Sequence, residues 1–263
     1  MVRLGGVASV SHMEVFQGLE TLFRRRGIDL DWVLYSDYDA MVDAFVSGEI
    51  DLAWNGPLGY VKIQHLLSEP CQVIAMRDVD IDFTTHFIAR PGSGIETVED
   101  LKGKTFAFGR RSSEQAGLVP YHLLKRSGLD PRSDLALCSF YEDRDSQTKS
   151  DERDVVERVA SGEFDAGAVS QRAMETMAES GVLPRDQVRI FWSSPPYSHC
   201  CFTAQRSMDA GLAGEIEAAF LSVDDQDQVG KAVLEGEACR SFVPGVDSGW
   251  ELIAEAAAAE GLI

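Results

Sequence analysis

Basic residues are scarce in this sequence. It has 24 Lys and Arg against 43 Asp and Glu in 263 residues, which gives a formal net charge of −19 at pH 7. Nucleic acids and anionic membrane surfaces both need a basic footprint, so we expect neither to be a partner. The charge does not exclude a small anionic ligand, because such a ligand responds to the local field of its pocket.

Long apolar runs are also missing. The sequence has no stretch of about 18 apolar residues, so we predict no membrane insertion. Its N-terminal apolar stretch is too short for a secretory signal. We therefore expect a cytoplasmic protein from the sequence as it stands, and a periplasmic or lipid-anchored one if a signal has been removed.

Cysteine is sparse, and the common catalytic motifs are absent. The five cysteines are an odd set without CxxC spacing, which argues against a disulfide framework and favours a reducing compartment. The sequence contains no GxSxG, HExxH, P-loop or GxGxxG motif. We therefore expect no cofactor, and catalysis is the less favoured class of function.

Short apolar runs alternate with helical patterns along most of the chain. This rhythm is typical of an α/β fold, with a mostly parallel sheet flanked by helices. Strands are predicted at residues 2–7, 30–35, 50–54, 73–76, 105–108, 135–140, 166–169 and 188–192. Helices are predicted at residues 13–26, 38–47, 58–67, 114–126, 155–160 and 172–179, and the pattern is helical throughout from residue 208.

The sequence repeats a short pattern once. Residues 44–54 (AFVSGEIDLAW) match residues 158–168 (RVASGEFDAGA), and each copy reads as a helix end, a turn and a strand. Glycine in each turn is suited to the C-cap of the helix. Helix–glycine–strand turns recur in many α/β proteins, but the extent of this match favours two lobes of similar design.

Two β-rich stretches, residues 82–90 and 193–204, are predicted to cross between the lobes. Residues 1–88 plus 199–263 would form lobe 1, and residues 89–198 would form lobe 2. Two crossings make a hinge, and the cleft between hinged lobes is the expected ligand site.

Four segments of the sequence form recognisable motifs: residues 51–57 (DLAWNGP), 95–109 (IETVEDLKGKTFAFG), 112–120 (SSEQAGLVP) and 161–169 (SGEFDAGAV). In this order they resemble a known family, the phosphate, phosphite and phosphonate solute-binding proteins of ABC transporters. The resemblance implies a two-lobe periplasmic-binding fold that closes around a small oxyanion-bearing ligand. It also implies a membrane permease or a sensor protein as partner.

A helix start at Ser112 and Ser113 offers the strongest chemistry. The unpaired N–H groups and positive dipole end of a helix bind an oxyanion without net positive charge. The two serines add hydroxyl donors, and Arg111 adds charge. The same serines are also suited to a simple N-cap, and the resemblance favours ligand contact.

Other helix starts supply further candidates. Asn55 precedes a helix that opens with proline, and Trp54 either walls the pocket or is a buried strand residue. The resemblance implies that Tyr38 contacts the ligand, although an Asp37 N-cap with an exposed Tyr38 is equally compatible with the sequence. Further candidates at a helix start and on the first crossing are Ser9, His12, Thr84 and His86. Strand alternation puts Thr84 and His86 on one face and Thr85 on the other, without showing which face meets the ligand.

Two alternatives remain open. A soft metal could be bound by His199 with Cys201, or by Cys200 alone, although packing of Cys200 and Cys201 as small apolar residues in a strand is favoured. Some cytosolic enzymes share this fold, such as thiamine-pyrimidine synthases and menaquinone-pathway enzymes. A cytosolic enzyme and a ligand sensor are therefore the runner-up functions.

Overall fold

The computed structural model describes residues 1–183 and 186–263, with Val10 described by its backbone alone. The chain divides into two compact units. Unit 1 comprises Met1–Asp82, Tyr197–Ala254 and Leu262–Ile263, and unit 2 comprises Phe83–Pro196 and Glu255–Gly261. The chain passes from one unit to the other at residues 82/83 and 196/197. The sequence predicted these boundaries slightly later, at 88/89 and 198/199. Residues 255–261 belong to unit 2, whereas the sequence placed the whole C-terminus in lobe 1.

Strands and helices alternate through most of the chain, as the sequence predicts. The strands are β1 (Val2–Val7), β2 (Leu30–Tyr35), β3 (Leu52–Asn55), β4 (Gln72–Arg77), β5 (Thr85–Ala89), β6 (Thr105–Ala107), β7 (Leu137–Ser139), β8 (Ala166–Ser170), β9 (Arg189–Ser193), β10 (Cys201–Ala204) and β11 (Phe242–Pro244). The helices are α1 (Val10–Arg25), α2 (Tyr38–Val46), α3 (Pro57–Leu66), α4 (Val119–Arg126), α5 (Asp151–Ser161), α6 (Gln171–Glu179), α7 (Ala210–Leu221), α8 (Gln228–Gly236) and α9 (Glu251–Ala259).

The sheet of unit 1 has the strand order β11-β4-β10-β3-β1-β2. β1 is parallel to both β2 and β3, whereas β10 runs antiparallel between β3 and β4, and β11 is antiparallel to β4. The sheet is therefore mixed: β1, β2, β3 and β4 run in one direction, as expected for a mostly parallel sheet, and β10 and β11 run in the other. The prediction of an all-helical C-terminal region is wrong, because β11 lies within it.

The sheet of unit 2 has the order β7-β6-β8-β5-β9 and is mixed in the same way. β6 is parallel to β7 and β8, but β5 is antiparallel to β8 and β9. In each unit, one strand that runs antiparallel to both of its neighbours is the first strand after the chain enters from the other unit. This strand is β10 in unit 1 and β5 in unit 2. Such a strand has no helical crossover from its neighbour, so the rule that makes βαβ neighbours parallel does not apply to it.

The repeated sequence pattern adopts the same local structure in both units. Gly48 and Gly162 follow α2 and α5 with φ values of +76° and +84°, which glycine tolerates. The aspartates that follow, Asp51 and Asp165, each accept a backbone N–H from a neighbouring strand. The donors are Arg3 at 2.8 Å and Thr105 at 2.9 Å.

Buried aromatic residues hold the helices of unit 1 against its sheet. Phe23 of α1 packs on Phe220 of α7 with ring centroids 5.0 Å apart, and Phe220 packs on Phe202 of β10 at 4.3 Å. α1 reaches this core because Ser9 caps its start and its apolar residues follow the helical period. Of the helices that the structure describes, none has the length and apolar character needed to cross a membrane.

Candidate functional site

Three helix starts lie at one edge of the sheet in unit 1. β1, β2 and β3 are mutually parallel, so the helices that follow them, α1, α2 and α3, begin at the same edge. The first two are capped by side chains, from Ser9 and Asp37, whereas α3 starts at Gly56 with no side-chain cap. This edge therefore combines helix N-termini with the predicted residues Ser9, Tyr38 and Asn55.

Ser9 and His12 both make local contacts at the start of α1. The Ser9 hydroxyl accepts the backbone N–H of His12 at 3.0 Å. The His12 ring places Nδ1 2.5 Å from the carbonyl oxygen of Val7 and stacks on Phe16 with centroids 5.9 Å apart. Both residues stabilise the end of β1 and the first turn of α1, so the structure gives each of them a local role.

Tyr38 is the first residue of α2, next to the Asp37 cap that the sequence allows. Asp37 accepts the backbone N–H of Ala40 at 2.9 Å. Tyr38 is 45% exposed. A large aromatic side chain exposed at a helix start can cover a ligand, and this arrangement is compatible with both interpretations of Tyr38.

Asn55 and Trp54 point to opposite faces of β3, as strand alternation requires. Trp54 is 5% exposed, stacks on Phe202 at 4.1 Å and lies beneath the Arg77 guanidinium at 5.2 Å. It is a core residue. Asn55 instead ends the strand next to α3, and its side-chain Nδ2 donates to Thr203 Oγ1 at 2.7 Å.

The loop at residues 109–113 in unit 2 is held against the helix that follows it. A Cβ on Gly109 would lie 2.5 Å from Ala116 Cβ, and one on Gly117 would lie 2.1 Å from the carbonyl oxygen of Arg110. The two glycines therefore allow the loop and the helix to approach closely. The helix begins as a π-helical turn, Glu114–Leu118, before α4, and the sequence did not predict this turn.

The two serines of this loop differ in their contacts. The Ser113 hydroxyl caps the helix by accepting the backbone N–H of Ala116 at 3.3 Å. Ser112 is exposed, and its hydroxyl makes no hydrogen bond to any part of the chain that the structure describes. Ser112 is therefore the better available donor, and Ser113 positions the helix start behind it.

Arg111 is engaged by two carboxylates. Its guanidinium lies 2.7 Å from Asp143 Oδ2 and 3.6 Å from Glu142 Oε2, and it covers the Phe140 ring at 4.4 Å. Its backbone N–H donates to Glu142 at 3.1 Å. The charge that the sequence assigned to an anion is thus already balanced within unit 2.

The two faces of β5 meet different neighbours. Thr85 is buried and donates from Oγ1 to the carbonyl oxygen of Gln115 at 2.7 Å, in the first turn after the serine loop. Thr84 instead donates to Gln171 of α6 at 2.8 Å, and His86 Nδ1 lies 2.8 Å from Ser193 Oγ. The structure thus brings Thr85 toward the serine loop and does not bring Thr84 or His86 there.

Burial lowers the pKa of His86, although nearby Glu175 raises it. We therefore expect His86 to be neutral near pH 7. A neutral imidazole offers an anion one N–H donor without a charge.

Glu152 is a half-buried carboxyl group that sequence reasoning missed. It lies in the first turn of α5, and its Oε1 accepts the backbone N–H of Ser170 at 2.5 Å. Burial raises the pKa of Glu152, while hydrogen bonds from Ser170 and Gln115 act in the opposite direction. The sequence predicted a helix only from residue 155, and the contact of Glu152 with Ser170 depends on the sheet order.

The cysteine beside His199 in the structure is Cys200, not the Cys201 of the metal-site alternative. Cys201 is buried within β10, whereas Cys200 Sγ lies 3.1 Å from His199 Nδ1, and Asp80 Oδ1 lies 3.2 Å from the same nitrogen. Among the described residues, the side chains close enough to share a metal ion are those of Asp80, His199 and Cys200, so Cys201 does not take part in this cluster. Both Asp80 oxygens already accept from the Arg77 guanidinium, at 2.6 and 2.9 Å. A nearby cation opposes metal binding, so this cluster is better described as a buried ion-pair network.

The part of this chain that matches known proteins includes candidate residues of both unit 1 and unit 2. A family described as "ABC transporter, phosphonate, periplasmic substrate-binding protein" matches residues 12–250. The probable ABC transporter phosphite binding protein PhnD1 of Prochlorococcus marinus (strain MIT 9301) is 23% identical over 232 residues, 84% of this chain and 75% of that protein. The phosphate-import protein PhnD of Mycolicibacterium smegmatis is 24% identical over 237 residues, 84% and 70% of the two chains.

Solved structures share the fold. PhnD1 from Prochlorococcus marinus (MIT 9301), in complex with methylphosphonate, has a TM-score of 0.70 at 20% identity and covers 100% of this chain and 98% of its own. XAC2383 from Xanthomonas citri, bound to chloride ion, has a TM-score of 0.73 at 19% identity, with 100% and 99% covered. At these identities the likeness concerns the fold alone.

Proposed function

Because the chain belongs to the family of periplasmic substrate-binding proteins of phosphonate ABC transporters, we propose that it binds a phosphonate, phosphite or phosphate anion for delivery to a membrane permease. The resemblance and the periplasmic-binding fold expected from the sequence are confirmed. The protein is a solute-binding protein for a small oxyanion. The observation that carries the function is the family match over residues 12–250, which spans the candidate residues of both units except Ser9.

Neutral donors, rather than a basic patch, bind the anion in this proposal. The chain carries a net charge of −19, and Arg111 is paired with Asp143 and Glu142. Helix N-termini and hydroxyl groups supply oriented donors to an anion without requiring a counter-charge. The contacts in unit 2 would come from Ser112 and from the turn that Ser113 caps.

In unit 1, Tyr38 and Asn55 would meet the ligand at the edge where α2 and α3 begin. Ser9 and His12 would support that edge by fixing the start of α1. Thr84 and His86 are a weaker part of the proposal because they contact α6 and β9. The position of the ligand between the lobes, and the hinge closure around it, stay predictions from the sequence.

Ser112→Ala provides the test of the unit 2 contact. The substitution removes a hydroxyl group that makes no hydrogen bond to the described chain, so it leaves the fold intact. A lost hydrogen bond to a charged ligand lowers affinity by roughly 10- to 100-fold. Calorimetric titration with methylphosphonate, phosphite and phosphate should show this loss for the ligand that the parent protein binds.

Ser161→Ala is the matched control, because Ser161 is exposed at the C-terminal end of α5 and, within the described part of the chain, its hydroxyl group donates only to the carbonyl oxygen of Arg158 in its own helix. It should bind like the parent protein. Equal affinities of all three proteins would reject Ser112 as a ligand contact. Failure of the parent to bind any of these anions would reject the proposed ligand class.

A further inference from the structure

Asn55 has a buried acceptor atom without a partner. The residue is 1% exposed, and its Oδ1 makes no hydrogen bond to any residue that the structure describes. Buried polar groups in folded proteins are nearly always hydrogen-bonded, because an unpaired one loses its water without compensation. This atom therefore requires an explanation.

The orientation of the Asn55 amide follows from its neighbours. Nδ2 lies 2.7 Å from Thr203 Oγ1 and 3.3 Å from the carbonyl oxygen of Ala53. A carbonyl oxygen only accepts, so the group facing Ala53 must be the amide NH₂. Exchanging the two ends of the amide would set two acceptors against each other. The unpaired atom is therefore an oxygen, and it can only accept.

This oxygen lies at the first turn of α3. A Cβ on Gly59 would be 3.5 Å from Asn55 Oδ1 and 3.6 Å from the Tyr38 ring, so Gly59 keeps the space between them clear of a side chain. Ligand access to this oxygen would require a movement of the Tyr38 side chain, which is 45% exposed. The acceptor thus lies beside the uncapped start of α3, where an anion is favoured.

We propose that Asn55 Oδ1 accepts a hydrogen bond from the ligand and thereby determines its chemical class. This inference rests on the proposed function. An oxyanion bound here must carry a hydrogen-bond donor, which is the hydroxyl of a singly ionised phosphonate or an ammonium group beside the oxyanion. A sulfonate has neither and would leave Asn55 Oδ1 facing an oxyanion oxygen.

The discrimination is large enough to measure. A site built to hydrogen-bond a ligand group rejects an analogue that lacks the group, because the buried partner is left unpaired. Methylphosphonate and methanesulfonate have closely similar shapes, and only the phosphonate retains a proton near neutral pH. We expect the parent protein to bind methylphosphonate at least about 10-fold more tightly than methanesulfonate at pH 6.

Asn55→Leu tests the role of the acceptor. Leucine has a similar volume and no acceptor, and Thr203 Oγ1 retains the Ala53 carbonyl oxygen as a partner at 3.4 Å. We expect affinity for methylphosphonate to fall by about 10-fold and affinity for methanesulfonate to stay within about 2-fold. The ratio of the two affinities, measured by calorimetry, separates a lost contact from a general loss of folding.

Cys201→Ala is the matched control. Cys201 is the buried partner of Asn55 across the β3–β10 pair, so the substitution disturbs the same packing and leaves Oδ1 in place. It should keep the ratio of the parent protein. A ratio that changes as much in Cys201→Ala as in Asn55→Leu would overturn the inference.

The pH dependence distinguishes the two donors. If the donor is the phosphonate hydroxyl, the advantage of methylphosphonate over methanesulfonate should disappear as pH rises through the second ionisation of methylphosphonate, and only in proteins with Asn55. If the donor is an ammonium group, 2-aminoethylphosphonate should keep its advantage over methylphosphonate to higher pH, and Asn55→Leu should remove it. Either result supports the inference.

Two results would contradict the account at different levels. If the parent protein binds methylphosphonate but Asn55→Leu binds both ligands with unchanged affinities, the assignment of Asn55 is wrong and the proposed function stands. If the parent protein binds no phosphonate, the proposed function fails and this inference fails with it.

Discussion

Replacing Gly117 with alanine tests how tightly the serine loop at residues 109–113 is held. The added Cβ would lie 2.1 Å from the carbonyl oxygen of Arg110, whereas ordinary contacts begin near 3.4 Å. The backbone of Arg110 must therefore move by about 1 Å in a region that is already closely packed. Strain of this kind costs about 1 to 3 kcal/mol, which exceeds the gain of up to about 1 kcal/mol from replacing glycine in a helix.

The matched control is Gly214→Ala. Gly214 is exposed within α7, and a Cβ there would meet no atom of the described residues within 4 Å. This substitution should stabilise the protein by about 0.5 to 1 kcal/mol. Urea unfolding followed by circular dichroism should therefore give changes of opposite sign for the two variants.

Ligand binding provides a second measure of the Gly117 prediction. Displacing Arg110 also displaces Ser112 and Ser113, and a shift of about 1 Å in a binding group weakens its contacts substantially. Gly117→Ala should therefore lower phosphonate affinity, whereas Gly214→Ala should not. Gly117→Ala with the stability and affinity of the parent protein would refute the account of how this loop is held.

Two further predictions concern buried charges. Asp154→Asn removes the charged partner of Arg144, and both side chains are at most 5% exposed, so urea unfolding should show a loss of about 3 to 5 kcal/mol in the free energy of unfolding. The control Glu157→Gln, at an exposed position, should change that free energy by less than about 1 kcal/mol. Equal losses in the two variants would contradict this prediction. Burial lowers the pKa of His199, but Cys200 and Asp80 raise it to about 10, so stability from its charge is present below its unfolded pKa of about 6.5 and is lost as pH rises through about 10. Between pH 6.5 and 10 the free energy of unfolding should fall more in the parent protein than in His199→Gln. Parallel profiles of unfolding free energy against pH would contradict this prediction.

The local sequence pattern predicted the elements that obey local rules. β1 and β2 have the predicted bounds because each is an apolar run between turns. The direction of β5 and β10 was not predictable in the same way, since it depends on where the chain enters each sheet. The three-residue strand β11 is too short to show a period of two.

The same distinction between local and long-range contacts applies to the candidate site. Asp37 and Ser113 were recognisable as helix caps because capping depends on neighbouring residues. The opposite orientations of Trp54 and Asn55 were not predicted, because the predicted strand ended at Trp54 and the observed strand extends to Asn55. The carboxylates that pair with Arg111 and the contact of Glu152 with Ser170 join segments far apart in sequence, and the local pattern contains no information about them.

Calorimetric titration of the unmodified protein with methylphosphonate tests the central claim most directly. The account predicts saturable binding with one ligand per chain, and weaker or absent binding of methanesulfonate under the same conditions. The absence of binding by methylphosphonate, phosphite and phosphate at millimolar concentration, with a folded protein confirmed by circular dichroism, would contradict it.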